Sequence, residues 1–186
     1  MFNYNSPIND TKNYSDLKIS EIEPTIKINL RSKKRDFITK IGKSLSIMPP
    51  TEANTSSGNE NLDILWLSPD EWMIYSNEKI DLINNNNLEN KLFNEVSKNN
   101  FGSVTNVSDH WIMINLKGDK VFELLSSGSP YNFNNFKNTN GAVTQTILNH
   151  IDVIIHNKNI NDLNLFVRRS FSNHLWSWIN DSARFI

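Results

Sequence analysis

Hydrophobic and polar residues follow two different periods along most of this chain. From Thr25 to Leu30 every second residue is apolar, which predicts a half-buried β-strand. From Phe37 to Leu45 the apolar residues recur at helical spacing instead, so this segment is predicted to be a helix. Met48-Pro49-Pro50 predicts the end of that helix, because proline cannot continue it.

A turn-forming sequence separates two further apolar runs. Residues 62–67 and 72–75 flank Ser68-Pro69-Asp70-Glu71, where proline at the second turn position followed by aspartate predicts a hairpin. Helical spacing recurs twice more, and the remaining apolar runs are strand-like. The further helices are predicted at 88–96 and 121–125, and the further strands at 104–107, 111–116, 143–148, 153–155 and 163–167.

A final helix is predicted close to the C-terminus. Ser170 is expected to cap its N-terminus, since a serine side chain accepts a hydrogen bond from an otherwise unpaired backbone N–H group. The apolar face of this helix is predicted from the spacing of Phe171, Leu175, Trp178 and Ile179.

The order of the elements predicts an α+β fold. That order is βαββαβ followed by βαβββα, so the first half has the ferredoxin-like pattern and the second half resembles a diverged copy. Two ferredoxin-like βαββαβ-type halves form a largely antiparallel sheet with helices packed on it. Residues 1–23 show no period and are expected to form a flexible N-terminal arm, which leaves residues 24–186 as a single domain.

Composition removes several classes of function. The chain has no cysteine, which excludes disulfides, thiolate nucleophiles and cysteine-ligated zinc or iron–sulfur sites. A net charge of −1 provides no positive field to attract phosphate backbones, so nucleic acid is not an expected partner. No apolar run has the length of a membrane span, and no secretory leader is recognisable. We therefore expect a cytoplasmic protein without a membrane partner.

The side chains that carry most enzyme chemistry do not converge in the sequence. Asp70 and Glu71 are neighbours in a turn, so their carboxylates diverge rather than share a proton. The six glycines form no phosphate-binding loop. The four histidines lack metal-ligand spacing: His110, His150, His156 and His174. We therefore predict no catalytic, cofactor-binding or metal-binding residue in this chain.

Four prominent residues are candidates for contact with another molecule. Trp176 lies at the margin of the apolar face of the final helix, where a tryptophan is a candidate interface anchor. Trp72 is a second aromatic candidate. Arg168 and Arg169 form the only adjacent arginine pair in the chain. These four residues are the predicted interface candidates.

Five segments, in this order and spacing, carry a family resemblance. They are Trp66-Leu67-Ser68-Pro69-Asp70-Glu71-Trp72, residues 104–109, residues 124–130, residues 136–146, and Val167-Arg168-Arg169-Ser170-Phe171 followed by Leu175-Trp176-Ser177-Trp178. Together they resemble the gamma subunit of heterotetrameric sarcosine oxidase, and the match extends from Ile28 to Ala183. Ser129 departs from the family, which commonly has cysteine before this proline.

The resemblance implies a subunit of a complex that oxidatively demethylates sarcosine to glycine and passes the one-carbon unit to tetrahydrofolate. The implied partners are the alpha subunit, directly, and the beta and delta subunits. The implied cofactors are FAD, FMN, NAD and zinc, all held by other subunits. A gamma chain is similar in fold to the folate-binding domain of the aminomethyltransferase and has no cofactor of its own, so the implied role is structural.

One alternative remains open at this level. The chain is also compatible with a stand-alone aminomethyltransferase-like module that binds folate. The glutamate tail of folate requires a basic grip, for which Arg168 and Arg169 are the adjacent cations in the sequence.

Overall fold

The computed structural model describes residues 5–34, 36–79 and 82–186. The strands are β1 Thr11–Tyr14, β2 Leu17–Glu21, β3 Thr25–Arg31, β4 Ser56–Gly58, β5 Leu62–Ser68, β6 Glu71–Lys79, β7 Ser103–Asn106, β8 Trp111–Lys117, β9 Val143–Leu148, β10 Ile151–Asn159 and β11 Asp162–Arg168. The α-helices are α1 Asp36–Leu45, α2 Leu82–Leu92, α3 Val121–Gly128 and α4 Ser172–Ser182. None of these helices combines the length and the apolar character that a membrane span requires.

The chain divides into two compact units. The middle unit is Thr25–Ser108, and the terminal unit combines Met1–Pro24 with Asp109–Ile186. Each unit has its own antiparallel sheet and its own hydrophobic core. The expected domain of residues 24–186 starts within one residue of the first division and includes the second, at Asp109.

The middle unit has the ferredoxin-like strand order. Its sheet runs β4-β5-β6-β3-β7, so the first strand of the βαββαβ pattern lies between the third and the fourth. Ile28 and Leu30 on β3 and Phe37 and Ile41 on α1 contribute to one buried cluster. The predicted hairpin is present: the Ser68 hydroxyl hydrogen-bonds to the Asp70 carboxylate (2.8 Å) in the β5–β6 turn. β4 has no counterpart among the predicted strands.

The sheet of the terminal unit runs β1-β2-β8-β11-β10-β9. Tight turns keep β9, β10 and β11 adjacent as a meander, and β11 lies beside β8 as β6 lies beside β3 in the middle unit. Asn149 and His150 form the β9–β10 turn with φ values of 49° and 64°, as the two-residue turns that match strand twist require. The α+β class with antiparallel sheets is confirmed, and the second half repeats the strand order of the first, with β2 from the N-terminus in the place of β7.

The N-terminal arm is corrected to a β-hairpin over residues 11–21. β1 pairs with β2, and β2 pairs with β8 through contacts such as Ile19 opposite Leu116. Leu17 and Ile19 are buried in the core cluster of this unit, whereas Lys18 between them is exposed. This alternation covers only three residues, which is too short to stand out in the sequence.

The start of the last helix also differs from the prediction. A 3₁₀ turn, Arg169–Phe171, precedes α4, and the helix begins at Ser172. Ser170 therefore does not cap it. Instead the Ser172 hydroxyl donates a hydrogen bond to the Arg169 carbonyl oxygen (2.8 Å).

Candidate interaction surface

The last helix, α4, buries one face and presents its two margins to different surroundings. Leu175 and Ile179 are fully buried in the core cluster of the terminal unit, and Ala183 continues their line. At about 100° per residue, Trp176 lies on one margin of this buried face, and Trp178 lies on the other. Both tryptophans are partly buried against the core. The two margins therefore have different neighbours within the unit.

The Trp176 margin holds the N-terminal hairpin. The Asp10 carboxylate pairs with the Lys12 ammonium group (3.0 Å) and accepts a hydrogen bond from the Thr11 backbone N–H (2.8 Å). The pKa of Asp10 is lowered, chiefly by Lys12 and least by Trp176. One turn further along α4, the Tyr14 hydroxyl hydrogen-bonds to the Asn180 side-chain oxygen (2.8 Å). Trp176 thus has a structural role inside the chain, and its role at an interface stays a prediction.

The two adjacent arginines differ in exposure and in their contacts. Arg169 is half-buried, and its guanidinium pairs with the Asp109 carboxylate (3.1 Å) and donates to the Asn5 carbonyl oxygen (2.6 Å). Arg168 is exposed at the end of β11, and its side chain has no partner among the described residues. The pair therefore does not form a joint cationic grip, and Arg168 alone is available to a ligand or partner.

Trp72 is a core residue, which corrects its selection as an interface candidate. Its side chain is 3% exposed, and its ring centroid lies 5.4 Å from that of Phe37. The indole N–H donates a hydrogen bond to the Pro50 carbonyl oxygen (2.8 Å). A buried, fully hydrogen-bonded tryptophan offers no surface to another protein.

The aromatic residues on the Trp178 margin of α4 were not recognised as surface residues in the sequence. Phe171 was predicted to share the buried face but is 46% exposed, and Phe185 is 89% exposed. Phe171 ends the 3₁₀ turn before α4, Trp178 lies on α4, and Phe185 follows the end of the helix. We call these three residues the α4 surface. Their spacing of seven residues is the sequence feature that they share.

A cleft of about 430 Å³ borders the α4 surface at Trp178. Its walls are Ser126–Pro130 at the end of α3, Ile147, Asn149, His150 and Trp178. Gly128 is required for this packing, because a Cβ atom there would lie 2.3 Å from the Trp178 ring. The cleft contains neither carboxylates nor ammonium groups, so it suits an uncharged side chain better than an ionic ligand.

Serine and histidine side chains share this cleft without forming a nucleophile–base pair. The Ser127 hydroxyl donates to the Leu124 carbonyl oxygen (2.7 Å), and the Ser129 hydroxyl contacts that of Thr146 (3.2 Å). In the part of the chain that is described, no hydrogen bond joins His150 to either serine. Nor do three or more histidine, aspartate or glutamate residues of that part cluster at metal-binding distance.

Solved structures similar to this chain share its fold. The heterotetrameric sarcosine oxidase from Corynebacterium sp. U-96 in complex with pyrrole 2-carboxylate matches with a TM-score of 0.80 and 19% identity, over 90% of this chain and 84% of that one. The glycine cleavage system aminomethyltransferase T from Bartonella henselae matches with a TM-score of 0.62 and 10% identity, over 88% of this chain and 45% of that one.

Sequence comparison identifies the family. A search of curated protein sequences finds no relative of this chain. The family model of SoxG, the sarcosine oxidase gamma subunit family, matches residues 34–184, which is most of the chain. This match confirms the resemblance found in the five sequence segments. The chain therefore belongs to the sarcosine oxidase gamma subunit family.

Proposed function

We propose that this chain is a non-catalytic structural subunit of a heterotetrameric sarcosine oxidase and binds the alpha subunit through the α4 surface. Family membership supports the assignment to the complex. The observation that carries the choice of surface is the exposure of Phe171 and Phe185, which flank the helix whose Trp178 lines the uncharged cleft. Aromatic side chains are enriched in protein interfaces.

The redox chemistry in this proposal belongs to the partner chains. FAD, FMN, NAD and zinc are assigned to the alpha, beta and delta subunits, and tetrahydrofolate accepts the one-carbon unit released from sarcosine. The present chain contributes stability instead, because a subunit that binds only the folded form of its partner shifts that partner's unfolding equilibrium by mass action. The complex is proposed to be cytoplasmic.

The alternative of a folate-binding module has weaker support. Arg169 is already paired with Asp109, so a folate glutamate tail would meet Arg168 alone. The likeness to aminomethyltransferase T concerns the fold and spans less than half of that protein. Saturable binding of tetrahydrofolate to this chain without its partners, lost in Arg168→Gln, would favour the alternative.

Omission of the chain tests the proposed role. The alpha, beta and delta subunits are co-expressed with and without this chain, and both preparations are compared in flavin content, sarcosine oxidation rate and thermal stability. We expect the incomplete complex to retain flavin but to unfold at a lower temperature and in lower yield. Equal rate, yield and thermal stability would exclude a structural role, and sarcosine oxidation by this chain alone would exclude a non-catalytic one.

The α4 surface is tested separately with Phe171→Ser/Phe185→Ser. Both residues are exposed, so the stability of the isolated chain is expected to change by no more than about 0.5 kcal/mol. Loss of two interface anchors is expected to weaken association with the alpha subunit by about 2 kcal/mol or more, measured by titration of the purified chains.

A matched control removes the same kind of side chain elsewhere. Phe93→Ser/Ile160→Ser also replaces two exposed apolar residues, which are 51% and 71% exposed, and it should leave association unchanged. If both double variants weaken association equally, or neither does, the α4 surface is not the contact.

A further inference from the structure

A second cleft lies in the middle unit between α1 and the helical segment that follows β6. Its volume is about 610 Å³, which is within the range of small-molecule sites. We call it the lysine cleft. Its walls are Asp36, Thr39, Lys40, Lys43, Ser44, Lys91 and Glu95. All seven side chains are polar or charged, which disfavours an apolar ligand.

The polar side of α1 forms one wall of the lysine cleft. The α1 residues in it follow the spacing i, i+3, i+4, i+7 and i+8, and so lie on one side of the helix. The opposite side buries Phe37 and Ile41 in the core. A polar helix side normally faces water, whereas here Lys91 and Glu95 stand across from it. The cleft therefore brings charged groups from two helical segments together.

Two of the three lysines in the cleft are held by neutral groups. Lys40 lies four residues after Asp36, the favourable spacing for an ion pair, but its Nζ lies 3.8 Å from the centre of the Phe101 ring. The Nζ of Lys91 donates to the Ser44 carbonyl oxygen. Among the described residues, neither Asp36 nor Glu95 forms an ion pair. Three ammonium groups thus outnumber two carboxylates in one cleft, without mutual neutralisation.

The ammonium groups of this cleft are suitable donors for an anion. They donate hydrogen bonds to the oxygen atoms of phosphates and carboxylates.

From these observations we propose that the lysine cleft binds a small oxyanion, with Lys43 and Lys91 as its principal ligands. Lys43 is exposed and has no ion-pair partner in the described part of the chain. The uncompensated positive charge selects an anion. The two carboxylates repel it, which favours an anion small enough to bind the lysines without approaching them. This site is independent of the proposed subunit role.

Titration of the full-length chain tests the site. Inorganic phosphate and succinate are added separately to ¹⁵N-labelled protein at low ionic strength, and amide shifts are followed by NMR. We expect saturable shifts confined to α1 and to residues 91–95. Lys43→Gln/Lys91→Gln is expected to raise the dissociation constant about tenfold or more, because charge-assisted hydrogen bonds are the strong ones. Shifts with phosphate alone assign a phosphate site, and shifts with both anions assign a general oxyanion site.

The matched control changes the same charge elsewhere. Lys18→Gln/Lys137→Gln also removes two exposed positive charges, and its dissociation constant should stay within about twofold of the unmodified chain, since neither lysine lines the cleft. Absence of saturable shifts with both anions would overturn the proposal. So would an equal loss of binding in the two variants, since that result would reflect overall charge only.

Discussion

Gly118→Ala is expected to destabilise the terminal unit by about 3 kcal/mol or more, because it combines backbone strain with a steric clash. Gly118 follows β8 and has a φ of +129°, a backbone conformation that residues with a side chain rarely adopt. A Cβ atom there would also lie 2.1 Å from the backbone oxygen of Asp16. Backbone atoms have little freedom to move, so either the turn holding Asp16 or the start of α3 must shift.

Gly42→Ala provides the control, because it adds the same methyl group to a crowded site of a different kind. A Cβ atom at Gly42 would lie 2.2 Å from the sulfur of Met48, but this is the far end of a flexible, exposed side chain. Alanine also has a higher helix propensity than glycine by about 1 kcal/mol. We expect an unchanged or slightly higher midpoint of urea unfolding for Gly42→Ala. Similar midpoints for both variants would contradict the strain assigned to Gly118.

Ile19→Ala is expected to cost about 3 kcal/mol of unfolding free energy, within the range for large-to-small substitutions in cores. Ile19 lies on β2, is fully buried, and stands opposite Leu116 of β8. Removing three carbon atoms leaves a cavity that paired strands on both sides prevent from collapsing, since β2 lies between β1 and β8. The effect is measured from urea unfolding followed by circular dichroism.

Lys18→Ala distinguishes an ordered hairpin from a flexible arm. Lys18 is the exposed neighbour of Ile19 on the same strand, so its truncation is expected to change stability by no more than about 0.5 kcal/mol. In a flexible arm both substitutions would be silent. If Ile19→Ala leaves the unfolding midpoint unchanged, the hairpin is not part of the folded core.

The N-terminal hairpin also supports the proposed interface indirectly. The hydrogen bond from Tyr14 to Asn180 holds the Trp176 margin of α4, which orients the helix whose other margin carries Trp178. Loss of the hairpin would therefore be expected to loosen the α4 surface as well as the core beneath it. Rigid support of this kind reduces the entropy that binding costs.

Much of the middle unit was predictable from local patterns. The strand from Thr25, the helix from Phe37 to Leu45 and the hairpin around Pro69 all have their apolar residues at one clear period. Such periodicity arises because each helix or strand buries one side. The spacing of the apolar residues on that side is therefore enough to recognise the element. The family was also recognisable in the sequence, because its motifs span most of the chain.

The candidate surface was predictable only in part. The tryptophan margin of the last helix was recognised, but Trp72 was misassigned and Phe171 was assigned to the buried face. An aromatic residue in an apolar pattern has the same appearance whether a neighbour covers it or not. The arginine pair was similarly ambiguous, because Arg169 finds its partner Asp109 at a distance of sixty residues in the chain.

The type of each element and the α+β class followed from the spacing of residues, since a helix or a strand is set by interactions between near neighbours in the chain. The family followed from the order of its motifs. The pairing of β2 with β8 and the exposure of Phe171 and Phe185 required the folded structure. Each of these features depends on contacts between segments far apart in sequence, or on the lack of such contacts. Hydrophobic period reports that a side chain is apolar and where it points, but not which surface comes to cover it.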